Sequence, residues 1–122
     1  MKNTLKIRKQ KRKERVIKKF NLRNFTRGWI IGDFLPSIIK TKDFEIGVKR
    51  YKAGDEEPRH FHKKAIEITI INKGEFKLNN QILKKDDIVL IDKGTKVKFE
   101  CLKDGSNTVI KIPSVIGDKY YC

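Results

Sequence analysis

Residues 54–74 read GDEEPRHFHKKAIEITIINKG, and the spacing within this stretch governs how the rest of the chain is read. Gly54, His60, His62, Glu67 and Gly74 stand in the pattern G-x5-H-x-H-x4-E-x6-G. His60 and His62 are the only two histidines among the 122 residues. In an extended strand, residues two apart share a face, so the two imidazoles project together. Ile66 to Ile71 reads as the next strand, and a short turn around Lys63-Lys64 brings Glu67 back towards the pair. Two nitrogens and one oxygen with open positions form a 2-His-1-carboxylate set, which suits Fe(II) and also Mn, Ni or Zn. Gly54 and Gly74 read as turn glycines, needed for backbone geometry. Arg59 and Phe61 point away from the histidines, and Asp55-Glu56-Glu57 reads as a solvated loop.

Outward from this stretch the texture is of short β-type runs separated by turn signals. Phe44, Ile46 and Val48 alternate with Glu45, Gly47 and Lys49, the period of a half-buried strand. The run Ile66 to Ile71 closes at Asn72-Lys73-Gly74, which reads as a turn. Phe76 and Leu78 lead to a hairpin turn at Asn79-Asn80, and the chain returns through Ile82. Asp87 to Ile91 precedes Asp92-Lys93-Gly94. Val97, Phe99 and Cys101 alternate with Lys98 and Glu100, then Lys103-Asp104-Gly105-Ser106 reads as a turn into Thr108 to Ile112. Eight or nine short strands with no helix between them predict an all-β sandwich or barrel.

The charge is unevenly placed. Of a formal net +15, residues 1–30 supply +11 from twelve bases against Glu14 alone. Residues 1–24 are therefore expected to form a basic arm, partly disordered or carrying a short helix that ends near Phe20. Residues 25–122 are expected to form the β domain. Such an arm suits polyanions through counterion release, but it lacks the interleaved aromatics that stack on single-stranded bases. A solvated tail is the preferred reading. Cys101 and Cys122 make no disulfide framework, no apolar run follows the basic start, and no run is long enough to span a membrane. These features point to the cytoplasm.

The pattern over residues 54–74 resembles the first signature motif of the cupin superfamily, small jelly-roll β-barrels that often hold a metal. The resemblance implies a cupin-type barrel over residues 25–122, in which His60, His62 and Glu67 match three of the family's four usual metal ligands. The family's second motif, similar to G-x5-P-x-G-x2-H-x3-N, is degenerate here. In the stretch from Asp86 to Cys101 only Gly94 is kept, and Val97 stands where the fourth ligand is expected. Cys101 shares its face but lies four residues on, about 13 Å by strand rise, too far to substitute. The metal implied is Fe, Mn, Ni or Zn, and no organic cofactor is called for. Lys49, Arg50, Tyr51 and Lys52 lie close by, and strand alternation turns one pair inward. A basic or phenolic group at the barrel mouth suits an anionic ligand such as a carboxylate, sugar phosphate or nucleotide sugar. Tyr51 thus joins His60, His62 and Glu67 as a ligand-binding candidate. Equally, these lysines could simply protect a strand edge.

Three functions follow. The first is a small-molecule-binding cupin, holding an anionic or sugar-like ligand with or without a divalent metal. The second is a metal-dependent enzyme of the same fold, a dioxygenase or a sugar isomerase or epimerase, for which no catalytic residue is singled out. The third is a nucleic-acid-associated protein acting through residues 1–20. Ile66, Ile68 and Ile70 point opposite to Glu67, so both faces of that strand need cover. A back-to-back homodimer would supply it.

Overall fold

The structure, a computed structural model, describes residues 15–122. It holds eight strands: β1 Trp29–Ile31, β2 Glu45–Tyr51, β3 Glu56–Phe61, β4 Ile66–Leu78, β5 Gln81–Lys84, β6 Ile88–Ile91, β7 Val97–Ile112 and β8 Tyr120–Tyr121. The only helical pieces among the described residues are two single 3₁₀ turns, Leu22–Asn24 and Thr26–Gly28. None is long and apolar enough to cross a membrane.

β4 and β7 form an antiparallel spine, paired from Ile66↔Ile112 to Leu78↔Phe99. Both were expected to break into two strands, and neither does. The turn residues at 72–74 and 103–106 face each other as a bulge, with register shifts between Ile71 and Phe76. A Cβ on Gly105 would stand 2.1 Å from the Lys73 carbonyl oxygen, and one on Gly74 would stand 2.5 Å from that of Asp104. Two backbones in contact at a bend require glycine on both strands, and Gly74 also adopts φ +86°. Gly74 is thus a bulge glycine. Gly54, at φ +96° with open space around it, keeps its expected place in a turn.

The bend divides the spine between two halves. Beyond it, β2 pairs with β7 from Tyr51↔Gly105 to Glu45↔Lys111, β6 pairs with β4 at Glu67↔Ile91 to Ile70↔Ile88, and β1 adds to β2. In the other half β5 pairs with β4, and β3 and then β8 extend from the start of β7. Two facing five-strand halves sharing two long strands make the jelly-roll expected from sequence. The hydrogen-bonded sheet does not close into a ring.

One end of the lumen is packed solid. Ile71, Phe76, Leu78, Leu83, Ile91, Val97, Phe99 and Cys101 form one buried cluster. Phe76 and Phe99 stack at 4.8 Å, and Tyr51 sets its edge against both at 5.5 Å. The half containing β2 and β6 has the opposite polarity. Glu45, Lys49, Glu67, Asn107 and Lys111 line the lumen. Strand alternation then turns Ile46, Val48, Ile66, Ile68, Ile70, Ile88, Leu90, Ile110 and Ile112 outwards. Ile88 and Leu90 are each 64% exposed.

Of the basic arm, residues 1–14 lie outside the described residues. Residues 15–21 carry no helix, and Val16 and Ile17 are exposed rather than packed. Phe20 meets Phe25 at 6.3 Å. Cys101 and Cys122 are both free.

Candidate functional site

β3 ends and β4 begins at the site, so a short turn delivers its side chains. His60 and His62 are buried, with ring centroids 5.2 Å apart. Each imidazole is held by a main-chain carbonyl: His60 Nδ1 lies 2.9 Å from the Pro58 oxygen, and His62 Nδ1 bonds the Asp118 oxygen. A carbonyl only accepts, so Nδ1 carries a proton in both rings. Burial lowers the His60 pKa, against the pull of the Pro58 carbonyl, and favours the neutral ring.

His62 Nε2 is buried without a hydrogen-bond partner, 3.5 Å from Glu67 Oε1. Burial alone would raise the Glu67 pKa. The His62 imidazole, the Lys111 ammonium and the Thr69 hydroxyl outweigh it, so the carboxyl lies below its ordinary value. The other carboxylate oxygen accepts the Thr69 hydroxyl at 2.9 Å.

Asp118 organises this turn. Its carboxylate accepts the backbone N–H groups of Lys63 and Ala65 at 2.9 Å each and of Lys64 at 3.0 Å. These bonds hold the Asp118 pKa low although burial opposes them. The side chain thus fixes the link between His62 and Glu67, and the main-chain oxygen of the same residue fixes the His62 ring.

Tyr51 and Lys49 are the inward pair of the 49–52 run. Tyr51 donates its hydroxyl to Glu57 Oε1 at 3.0 Å, and Lys49 Nζ is 3.4 Å from the same oxygen. Burial first, then the Glu57 charge, raises the Tyr51 pKa, so it serves as a neutral phenol. Glu57 therefore belongs to the lumen and not to a solvated loop, because β3 starts at Glu56 and its alternation points Glu57 inward. Asp55 and Glu56 remain exposed. Phe61 stacks outside on Tyr120 at 5.5 Å, and Arg59 is exposed, as expected.

His60, Glu67, Thr69, Tyr51, Lys49, Glu57 and Asp118 border one cavity of about 440 Å³, whose floor includes Leu78, Ile91, Val97 and Phe99; His62 lies behind this lining. Val97 pairs directly with His60 across β3 and β7, the place predicted for a fourth ligand. Burial raises the Cys101 pKa, and its thiol turns to the Lys103 carbonyl at 3.1 Å, away from any ligand role. Trp29, Glu57, Lys111 and Asp118 are among the lumen residues missed from sequence. Lys111 shares the parity of Asn107 and Val109, a signal the alternation offered.

The donor set suits a divalent ion in its chemistry. It presents two imidazoles, each oriented by a carbonyl on Nδ1, and a carboxylate facing the unpartnered Nε2 of His62. His62 and Glu67 are the part already brought together. Among the described residues no three His, Cys, Asp or Glu side chains converge into a closed cluster.

The overall arrangement matches known proteins in fold. A protein with a double-stranded β-helix domain from Klebsiella pneumoniae is 19% identical, with a TM-score of 0.61, over 67% of this chain and 72% of that one. An RmlC-like cupin from Shewanella frigidimarina is 16% identical, with a TM-score of 0.59, over 62% and 71%. The bacterial pirin YhhW from Escherichia coli, solved with nickel(II), is 12% identical, with a TM-score of 0.61, over 72% of this chain and 39% of its own. No protein-family profile and no curated protein sequence matches the chain. The protein has the cupin fold: its jelly-roll matches the double-stranded β-helix of these solved structures.

Proposed function

We propose that the protein is a small-molecule-binding cupin whose lumen holds an anionic or sugar-like ligand around His60, His62, Glu67 and Tyr51. In this reading His60, His62 and Glu67 also hold a divalent metal, Fe, Mn, Ni or Zn. The supporting observation is the buried, unpartnered Nε2 of His62 facing the Glu67 carboxylate at 3.5 Å. A buried ring nitrogen and a carboxylate this close are costly unless a proton or a metal ion lies between them. The bacterial pirin of similar fold was solved in complex with nickel(II), which supports this reading. When bound, the ion would polarise an oxygen of the ligand as a Lewis acid. His60 and His62 would keep their protons on Nδ1, and Tyr51 would offer its aromatic edge beside the ligand.

Elemental analysis of the purified protein, with His60→Ala and Glu67→Ala beside it, tests the metal. Near-stoichiometric metal lost by both variants supports the reading. Protein still empty after incubation with all four ions refutes the metal and leaves an organic-ligand pocket.

We further propose that two copies pack back to back through the outer face of β6, β4, β7 and β2. The registers place Ile46, Ile110, Ile68 and Leu90 in one cross-strand row. Val48, Thr108, Ile70 and Ile88 form the next row. Neither row holds a charge, in a chain that is 37% charged. Residues 1–14 offer only Leu5 and Ile7, besides Met1, as apolar cover. A second copy brings an equally apolar, uncharged face.

A further inference from the structure

The lumen's charges balance in number but not in pairing: four cationic residues (Arg27, Lys49, Lys111, Lys119) and four acids (Glu45, Glu57, Glu67, Asp118) line it. Every acid is already engaged. Glu57 takes Tyr51 and Lys49, Glu45 accepts the Ser114 hydroxyl at 3.1 Å, Asp118 caps three amides, and Glu67 faces His62 and Thr69. Of the cations only Lys49 reaches a carboxylate. Among the described residues Arg27, Lys111 and Lys119 form no ion pair.

Lys111 is the deepest of these. It lies in register with Glu67 on β4 and with Glu45 on β2, so its side chain enters the lumen between them. Its ammonium sits 5.0 Å from the Trp29 ring centroid and within ion-pair distance of neither acid. Gly47 makes this possible, since a Cβ there would lie 2.8 Å from the Trp29 ring. An ammonium over a π face and in ion-pair contact with neither flanking acid gains from an anion that comes within hydrogen-bond reach, whereas a neutral ligand would desolvate it further without compensation.

We propose that the ligand of this lumen is a small acid, a carboxylate or a phosphate, whose anionic group pairs with Lys111. This rests on the lumen-binding reading above and narrows it to anions. Lys119 and Arg27 add attraction along the wall, and His60 and Glu67 border the same cavity.

Trp29 is the single tryptophan of the chain, so its emission reports on the Lys111 contact. The full chain is titrated with malonate, inorganic phosphate and glucose, reading both Trp29 emission and heat. The expected result is saturable binding of one anion, weakened about tenfold or more in Lys111→Met. Lys111→Met keeps the aliphatic stem over Trp29, and Lys111→Arg restores the charge and should restore binding. Lys84→Met, exposed on β5, should bind as wild type. Malonate alone or phosphate alone identifies the anion. Equal binding by Lys111→Met overturns the assignment. Glucose bound without either anion also overturns it, while leaving the lumen-binding reading intact. Silence towards all three, by heat as well as emission, overturns both.

Discussion

Removing the Asp118 carboxylate should destabilise the fold and loosen the site together. In Asp118→Ala three backbone donors lose a charged acceptor. Lys63 and Lys64 are exposed, so water replaces most of what they lose, but Ala65 is 3% exposed and its N–H has no access to solvent. One unreplaced bond to a charged acceptor is worth about 2 kcal/mol, and the two solvated ones add about 1 kcal/mol together. For a domain of this size, a loss of about 3 kcal/mol lowers Tm by about 12 °C. Asp118→Asn keeps the shape but sets an amide N–H group against a backbone N–H, and should cost about 2 kcal/mol. Urea denaturation gives the free energy, and hydrogen exchange at the Ala65 amide locates it. Acid gives a second signature. The folded carboxyl has a lowered pKa, so the unfolded chain takes up a proton first and stability falls with pH. The Asp118 contribution is therefore complete above the ordinary aspartate value of about 4 and is lost below it, as pH passes the folded value. Wild type and Asp118→Asn should converge over that window. An Asp118→Ala protein within about 0.5 kcal/mol of wild type, with Ala65 equally protected, would refute the reasoning.

Val97→His places an imidazole beside His60 and should tighten divalent-metal binding about tenfold or more by competition with a chelator, at an overpacking cost of about 1–3 kcal/mol. Unchanged metal affinity would count against His60 as a ligand. Gly105→Ala should cost about 3 kcal/mol or more in urea, because the new Cβ meets backbone at 2.1 Å. Gly94→Ala, in open space at φ +81°, should cost only about 1–2 kcal/mol, and equal losses would show that the bulge contact is soft. Leu90→Lys, at the β6 end of the outward apolar row and 64% exposed in the wild type, should shift the species seen by light scattering from dimer to monomer. A wild-type monomer at micromolar concentration would remove the dimer.

How far this chain could be read depends on which residues carry a local signal. His60, His62 and Glu67 were legible because a two-residue repeat and one short turn fix their relation without long-range knowledge. Val97 could be placed opposite His60 because a motif position survives even when its residue does not. Asp118 could not be found in this way: its partners lie more than fifty residues away, and an aspartate beside glycine looks like any turn. The misplaced turns at 72–74 and 103–106 have one cause. Turns and bulges both recruit glycine and small polar residues, and only the opposing strand decides between them. The polarity of β2, β4 and β7 teaches the most. Period-two alternation was read correctly, yet it does not say which face is inside. Here the polar set, Glu45, Lys49, Glu67 and Lys111, points to the lumen, and the isoleucines point out. An interior that binds ligand inverts the usual assignment, so lysine and glutamate at register positions of an otherwise apolar strand mark the pocket. The same inversion leaves an uncharged isoleucine face on the outside, which is why ligand binding and self-association are coupled expectations for this sheet.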